Sequence, residues 1–308
     1  MAISLKAIDY SRPIQPIFLQ KHQVGAVHSV FNKATNITFN DTLLSLLSDE
    51  LPRMPNSVRL HSIVLDELLS NLQPGMEVCV GKDALFIPAC NFSFHLSDTY
   101  LWEPRPEVST YQWNRETVAQ HTRLLTQFFT IKHQQDGLAS LVGPLFLRQP
   151  LQESPLSRMA LPKLRLLARA TWRQNIAGIE EATRGLAGLG PGLTPSGDDA
   201  LGGFAAVMAL LSPMLSADSQ SRKHIASTIA KVAKPRTTKL SAVLLDYASR
   251  GEVSEQFGTL LMTLMLPAEE FETVLRAANR VMAFGASSGC DTLLGMLLGL
   301  RALEGEID

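Results

Sequence analysis

Residues 188–199 read Gly-Leu-Gly-Pro-Gly-Leu-Thr-Pro-Ser-Gly-Asp-Asp, which packs four glycines, two prolines, two hydroxyls and two adjacent carboxylates into twelve positions. An unbroken apolar run, 200–211, follows. Glycine lets a backbone approach a ligand closely. The first N–H groups of a helix are unsatisfied and carry partial positive charge. The stretch therefore has the make-up of an anion cradle that opens a buried helix. Gly188, Gly190, Gly192 and Gly197 would bring the backbone in, and Thr194 and Ser196 would add hydroxyl donors. Asp198 and Asp199 are candidate catalytic acids.

The pattern returns near the C-terminus. Ser287-Ser288-Gly289-Cys290-Asp291-Thr292-Leu293-Leu294-Gly295 repeats the spacing of 195–203, with Ser, Gly, Asp, Leu and Gly in the same order. Two copies of Ser-Gly-x-Asp-x-Leu-x-Gly about ninety residues apart predict two helix N-termini serving one site. They add Ser287, Ser288 and Gly289 as binding residues and Asp291 as a third acid. Capping is the plainer alternative: Ser196 with Asp199, and Ser288 with Asp291, have capping-box spacing. Pro195 at a first helical position would instead make Thr194 the cap. Capping leaves Gly188, Gly190, Gly192 and Asp198 unexplained. An anion at this loop needs cations, and Arg236 and Lys239 are the best placed, because they bracket Thr237-Thr238 at a predicted helix start; Arg184 precedes the loop.

Other chemistries are disfavoured. The seven histidines are scattered and form no His-x-x-x-His pair, so a zinc site is not expected. There is no Gly-x-Ser-x-Gly elbow, and no Lys-Ser/Thr follows the glycines as in a Walker loop. Gly188-x-Gly190 lacks the preceding strand of a dinucleotide fold. Cys290 reads as a small buried filler.

The elements that must position these residues divide near residue 112. Before it lie short β-leaning segments, 36–39, 58–65, 76–80, 83–88 and 92–96, separated by turn residues. They predict a small barrel or sandwich over 1–112. Tyr100, Trp102, Tyr111 and Trp113 read as packing at the exit of this region. From 113 to 308 the pattern is helical, with apolar stripes over 116–132, 162–184, 219–234, 238–250, 252–265 and 268–284. The two helices behind the glycine motifs are apolar nearly all round, which predicts burial at the core. The fold class expected is α+β: a β-rich N-terminal region and a largely α-helical C-terminal domain carrying both motifs.

The chain has 308 residues, 45% hydrophobic and 19% charged, and a formal net charge of −1. That composition fits a globular protein and offers no basic field for nucleic acid. The longest apolar run falls short of the roughly twenty residues needed to span a bilayer. Three cysteines, odd in number and without metal spacing, fit a reducing compartment, so a cytoplasmic location is expected.

Taken together, the 188–199 stretch, Arg236-Thr237-Thr238-Lys239-Leu240-Ser241 and Gly-x-Ser-Ser-Gly-x-Asp-x-Leu-x-Gly over 285–295 resemble a bacterial family long catalogued as a domain of unknown function. One branch is the AllH-like subunit of oxamate carbamoyltransferase, an enzyme of anaerobic allantoin breakdown. The resemblance covers roughly 184–300. It implies a three-protein assembly with FdrA-like and AllG-like subunits that converts oxalurate and phosphate into oxamate and carbamoyl phosphate. The expected ligand is then a small anion: phosphate, carbamoyl phosphate or oxamate. Three carboxylates beside an anion repel it. A bridging magnesium ion, a general base or anchor for carbamoyl N–H groups, or caps turned away from the ligand would each resolve this. Two other functions stay open: a non-catalytic scaffold for an FdrA-like partner, and a magnesium-dependent phosphate- or nucleotide-binding phosphotransferase.

Overall fold

A computed structural model describes residues 3–19, 22–40, 42–107, 114–132, 137–151, 154–215, 219–267 and 270–305. The chain forms two compact units, Met1–Pro104 and Arg105–Asp308. The boundary expected at 112/113, together with Tyr111, Trp113 and His133, lies outside the described residues.

The first unit is one sheet of ten strands: β1 (Ile3–Lys6), β2 (Asp9–Ser11), β3 (Gln23–Phe31), β4 (Ala34–Phe39), β5 (Thr42–Ser48), β6 (Ser57–Leu60), β7 (Glu77–Gly81), β8 (Ala84–Ile87), β9 (Phe92–His95) and β10 (Tyr100–Trp102). Their order is β1-β9-β8-β7-β3-β4-β5-β6-β2-β10. β1 and β2 thus stand near opposite ends of the row, although Lys6 and Asp9 are neighbours in the chain. In a flat sheet they would be roughly 38 Å apart at the usual strand spacing, whereas three residues reach only about 11 Å. The sheet is therefore curled. Residues 7 and 8 cross the seam: the Ala7 N–H bonds His95 O and the Ile8 N–H bonds Arg59 O. At the seam, buried Asp9 takes Arg59 Nη2 at 2.6 Å and Arg53 Nε at 3.1 Å. Arg59 also bonds the carbonyls of Asp49 and Leu51. Asp83 and Asn91 sit at positive φ in the links between β7, β8 and β9, where short polar side chains tolerate the left-handed region. Two expectations need correcting. The stretch 58–65 is not one strand: β6 ends at Leu60, and α2 (Ser62–Asn71) starts there and buries Leu65, Leu68 and Leu69. The alternation in 58–65 was too short to separate a period of 2 from one of 3.6. Tyr100 is not core either. It is exposed, with the Arg53 guanidinium 5.6 Å from its ring centre.

The second unit is helical: α3 (Arg115–Lys132), α4 (Val142–Phe146), α5 (Pro155–Trp172), α6 (Ile176–Leu186), α7 (Ser196–Leu215), α8 (Ser219–Ala233), α9 (Lys239–Ser249), α10 (Glu255–Thr263), α11 (Phe271–Met282) and α12 (Ser288–Glu304); the short α1 (Gln15–Leu19) belongs to the first unit. The run 162–184 is two helices rather than one. Gln174 at positive φ breaks it, and the Asn175 side chain caps α6 by accepting the Gly178 N–H at 3.2 Å. Pro162 lies inside α5.

α7 and α12 form the centre, as their all-round apolar character predicts. Leu201, Phe204, Leu293 and Leu297 are fully buried, each contributing about 1.5–3 kcal/mol. The helices cross at backbone contact. A Cβ on Gly203 would overlap the carbonyl oxygen of Thr292, and one on Gly295 would overlap that of Ala200. These four residues are equivalent positions of the two sequence copies, so the contact is reciprocal. Gly197 and Gly289 are equivalent too, and they press on the carbonyls of Leu186 and Val281, at the C-terminal ends of α6 and α11.

Candidate functional site

The reciprocal crossing brings the N-termini of α7 and α12 together. Thr194 Oγ1, in the loop before α7, lies 3.0 Å from Ser288 Oγ in the first turn of α12. The two motifs meet in space through these hydroxyls.

Neither Ser288 nor Ser287 behaves as a simple cap. Ser287 occupies the cap position of α12 without a side-chain cap hydrogen bond. Ser288 reaches across to the other motif, where its hydroxyl meets that of Thr194 beside the Asp199 carboxyl. Ser196 is buried at the first position of α7, and Gly289 is buried under Val281.

The three acids occupy different settings. Asp198 is buried and spoken for. Its Oδ1 accepts the Gly188 N–H at 2.9 Å and its Oδ2 accepts the Thr237 hydroxyl. Asp291 is fully buried, and its Oδ1 accepts the Leu138 N–H at 2.6 Å. Gly137 lies flat on the Asp291 carboxylate, where any Cβ would collide. Asp199 keeps some exposure as a residue, but its Oδ2 is sealed from solvent and has no hydrogen-bond partner. Burial pushes the Asp199 carboxyl well above its usual range, Asp291 and Asp198 push it further, and the Ser288 and Thr194 hydroxyls pull it back. Asp198 is raised as well, again mainly by burial, with the Thr237, Gly188 and Ser241 bonds opposing. The helix N-termini favour ionised acids here; for both residues desolvation outweighs that field.

The glycine loop is clasped from the side by the start of α9. Thr238 caps α9 by accepting the Ser241 N–H at 3.1 Å and donates to Leu193 O at 2.6 Å. Gly188, at φ +73°, lies against the Arg236 carbonyl, and Gly190, at φ +115°, folds over Ser196. Both backbones are left-handed, which disfavours any side chain. Gly192 is exposed with open space around it. Among the described residues, the N–H groups of Gly190, Gly192, Leu193 and Thr194 bond to no other backbone group. Arg236 and Lys239 have exposed side chains. The Arg236–Ser241 segment meets the loop through hydroxyls and a carbonyl. Arg184 pairs with Glu180 at 2.6 Å on α6.

Sequence reading missed the structural parts of Thr237, Thr238 and Ser241, although all three lie in the quoted Arg236–Ser241 motif. It also missed Gly137 and Leu138, for which no local signal existed. Among the described residues no group of three or more His, Cys, Asp or Glu side chains is arranged to hold a metal ion. No helix among them is long and apolar enough to cross a membrane.

The chain is a two-unit α+β protein, a curled sheet followed by a helical unit built around paired Ser-Gly-x-Asp helix starts. The family model described as oxamate carbamoyltransferase subunit AllH matches residues 186–300, and that of the AllH family N-terminal domain matches 6–101. The chain belongs to the AllH family, whose name makes it a carbamoyltransferase subunit with partner subunits. No solved structure matches it.

Proposed function

We propose that this chain holds the carbamoyl-bearing substrate of an oxamate carbamoyltransferase, which carries out phosphorolysis of oxalurate to oxamate and carbamoyl phosphate. One observation carries the reading. Two helix starts meet at Thr194–Ser288 beside an unpartnered carboxyl oxygen of Asp199, inside the segment matched by the subunit's family model. The loop N–H groups and the two hydroxyls suit the oxygens of a small anion. Asp199 Oδ2 suits the nitrogen that the carbamoyl group leaves behind. The partners proposed are FdrA-like and AllG-like subunits, in the cytoplasm.

The test is a thermal-shift titration with oxalurate, oxamate, carbamoyl phosphate, phosphate and ATP with magnesium. It is run on the wild type and Ser288→Ala, alone and assembled with the partner subunits. A ligand at a hundred times its Kd adds about 2.7 kcal/mol of stability. A shift with oxalurate or carbamoyl phosphate that is reduced in the variant is the expected result. The scaffold reading draws on a different observation, that Gly197, Gly203, Gly289 and Gly295 serve helix packing. It predicts no shift with any of these ligands, even in the assembly. A shift with ATP and magnesium alone would favour phosphotransfer.

A further inference from the structure

We infer that Asp199 alone among the three aspartates is the catalytic acid, delivering a proton from Oδ2 to the leaving nitrogen, while Ser288 and Thr194 are positioning residues beside its carboxyl. The inference rests on the carbamoyl-transfer reading and goes beyond it by separating three acids that sequence spacing treats alike. Asp198 spends both oxygens on Gly188 and Thr237, so it fastens the loop to the start of α9. Asp291 bonds Leu138 and is covered by Gly137. Asp199 lies beside the hydroxyls of both motifs, keeps some exposure and has an Oδ2 with no hydrogen-bond partner, whereas Asp291 is fully buried. A buried oxygen left in that state costs free energy, and a ligand group seated against it removes the cost.

The chemistry needs such an acid. Cleaving a carbamoyl–nitrogen bond expels an amide nitrogen, a poor leaving group unless it is protonated as it departs. A phosphate oxygen bonds to the carbamoyl carbon, the C–N bond breaks with its electron pair going to nitrogen, and the Asp199 proton completes the leaving amide. The resulting carboxylate is stabilised by the Ser288 and Thr194 hydroxyls and takes the hydroxyl proton of the attacking phosphate, which restores the acid. Burial, with Asp198 and Asp291 as the charged neighbours, keeps the group protonated above the usual carboxylate range.

The experiment uses the enzyme assembled on a tagged copy of this chain with its partner subunits. It compares two donors: oxalurate, whose leaving nitrogen needs a proton, and p-nitrophenyl carbamate, whose phenolate does not. Asp199→Asn is isosteric and removes the acid. The expected result is a kcat with oxalurate lower by about 10²–10⁴-fold, a kcat with p-nitrophenyl carbamate within a few-fold of wild type, and loss of the alkaline fall in the oxalurate pH profile. Equal losses with both donors, or full activity with oxalurate, overturn the role of Asp199 and leave the function standing. A wild-type assembly that transfers from neither donor overturns the function itself. Ser288→Ala keeps the acid and removes a hydroxyl that stabilises its anion, so the alkaline limb should move to higher pH. A limb that stays in place overturns the positioning role.

Discussion

Asp198 and Asp199 are neighbours in the chain and differ in what they bond, so isosteric changes should separate them. Asp198→Asn replaces an acceptor oxygen with an NH₂ that must face the Gly188 N–H or the Thr237 hydroxyl. One of these part-buried hydrogen bonds is lost or weakened at a cost of about 0.5–1.5 kcal/mol, and the melting temperature should fall. Asp199→Asn removes a desolvated acid beside two others and should leave stability unchanged or higher near neutral pH. The pH dependence has a fixed sign. The folded-state pKa of Asp199 is raised, so the folded protein binds the extra proton. Wild-type stability relative to Asp199→Asn therefore falls as pH rises from the ordinary aspartate range to the raised value, and is flat above it. Melting curves of both proteins across that window test this, and a pH-independent difference would rule out a raised pKa at Asp199. The repeat of Ser-Gly-x-Asp made all these residues visible in the sequence. Their division of labour was not visible, because the partner of Asp198 is Thr237 and that of Asp291 is Leu138, both far away in sequence.

At the level of elements, the adjacent glycines of α7 give opposite expectations. Glycine inside a helix costs roughly 0.5–1 kcal/mol relative to alanine. Around Gly202 the nearest atom to an added Cβ is Leu245 Cδ2 at 3.9 Å, so Gly202→Ala should gain about that amount. At Gly203 the obstacle is the backbone of Thr292 on α12, which cannot yield without parting the two central helices. Overpacking of that kind costs about 1–3 kcal/mol and outweighs the helix gain. Gly203→Ala and its equivalent Gly295→Ala should therefore destabilise, as denaturant melts will register; similar midpoints for Gly202→Ala and Gly203→Ala would contradict the crossing. Helix positions and the burial of α7 and α12 were legible from apolar periodicity. The break between α5 and α6 was missed because no Gly or Pro marks it: Gln174 takes the left-handed conformation and Asn175 supplies the cap.

For the whole molecule, the two units and the family match frame the last expectation. Arg105 Nη1 bonds Arg250 O at 2.7 Å, and Pro106 lies beside Gly258. A helical fragment starting at 105 should thus be more stable than one starting at 113 by about 1 kcal/mol, or roughly 2–4 °C in Tm; equal melting temperatures would refute it. The features legible from residue order are local and periodic: a β-rich region before a helical one, two buried helices, and two matching helix starts rich in glycine, hydroxyl and acid. Each of these depends on residues a few positions apart. It took the packed chain to show that the crossing of α7 and α12 sets Thr194 against Ser288, that residues 7 and 8 cross the seam of a curled sheet, and that Asp199 Oδ2 is buried without a hydrogen-bond partner. Those outcomes depend on contacts between segments tens to more than a hundred residues apart. There, packing and desolvation, not chain spacing, select which groups meet.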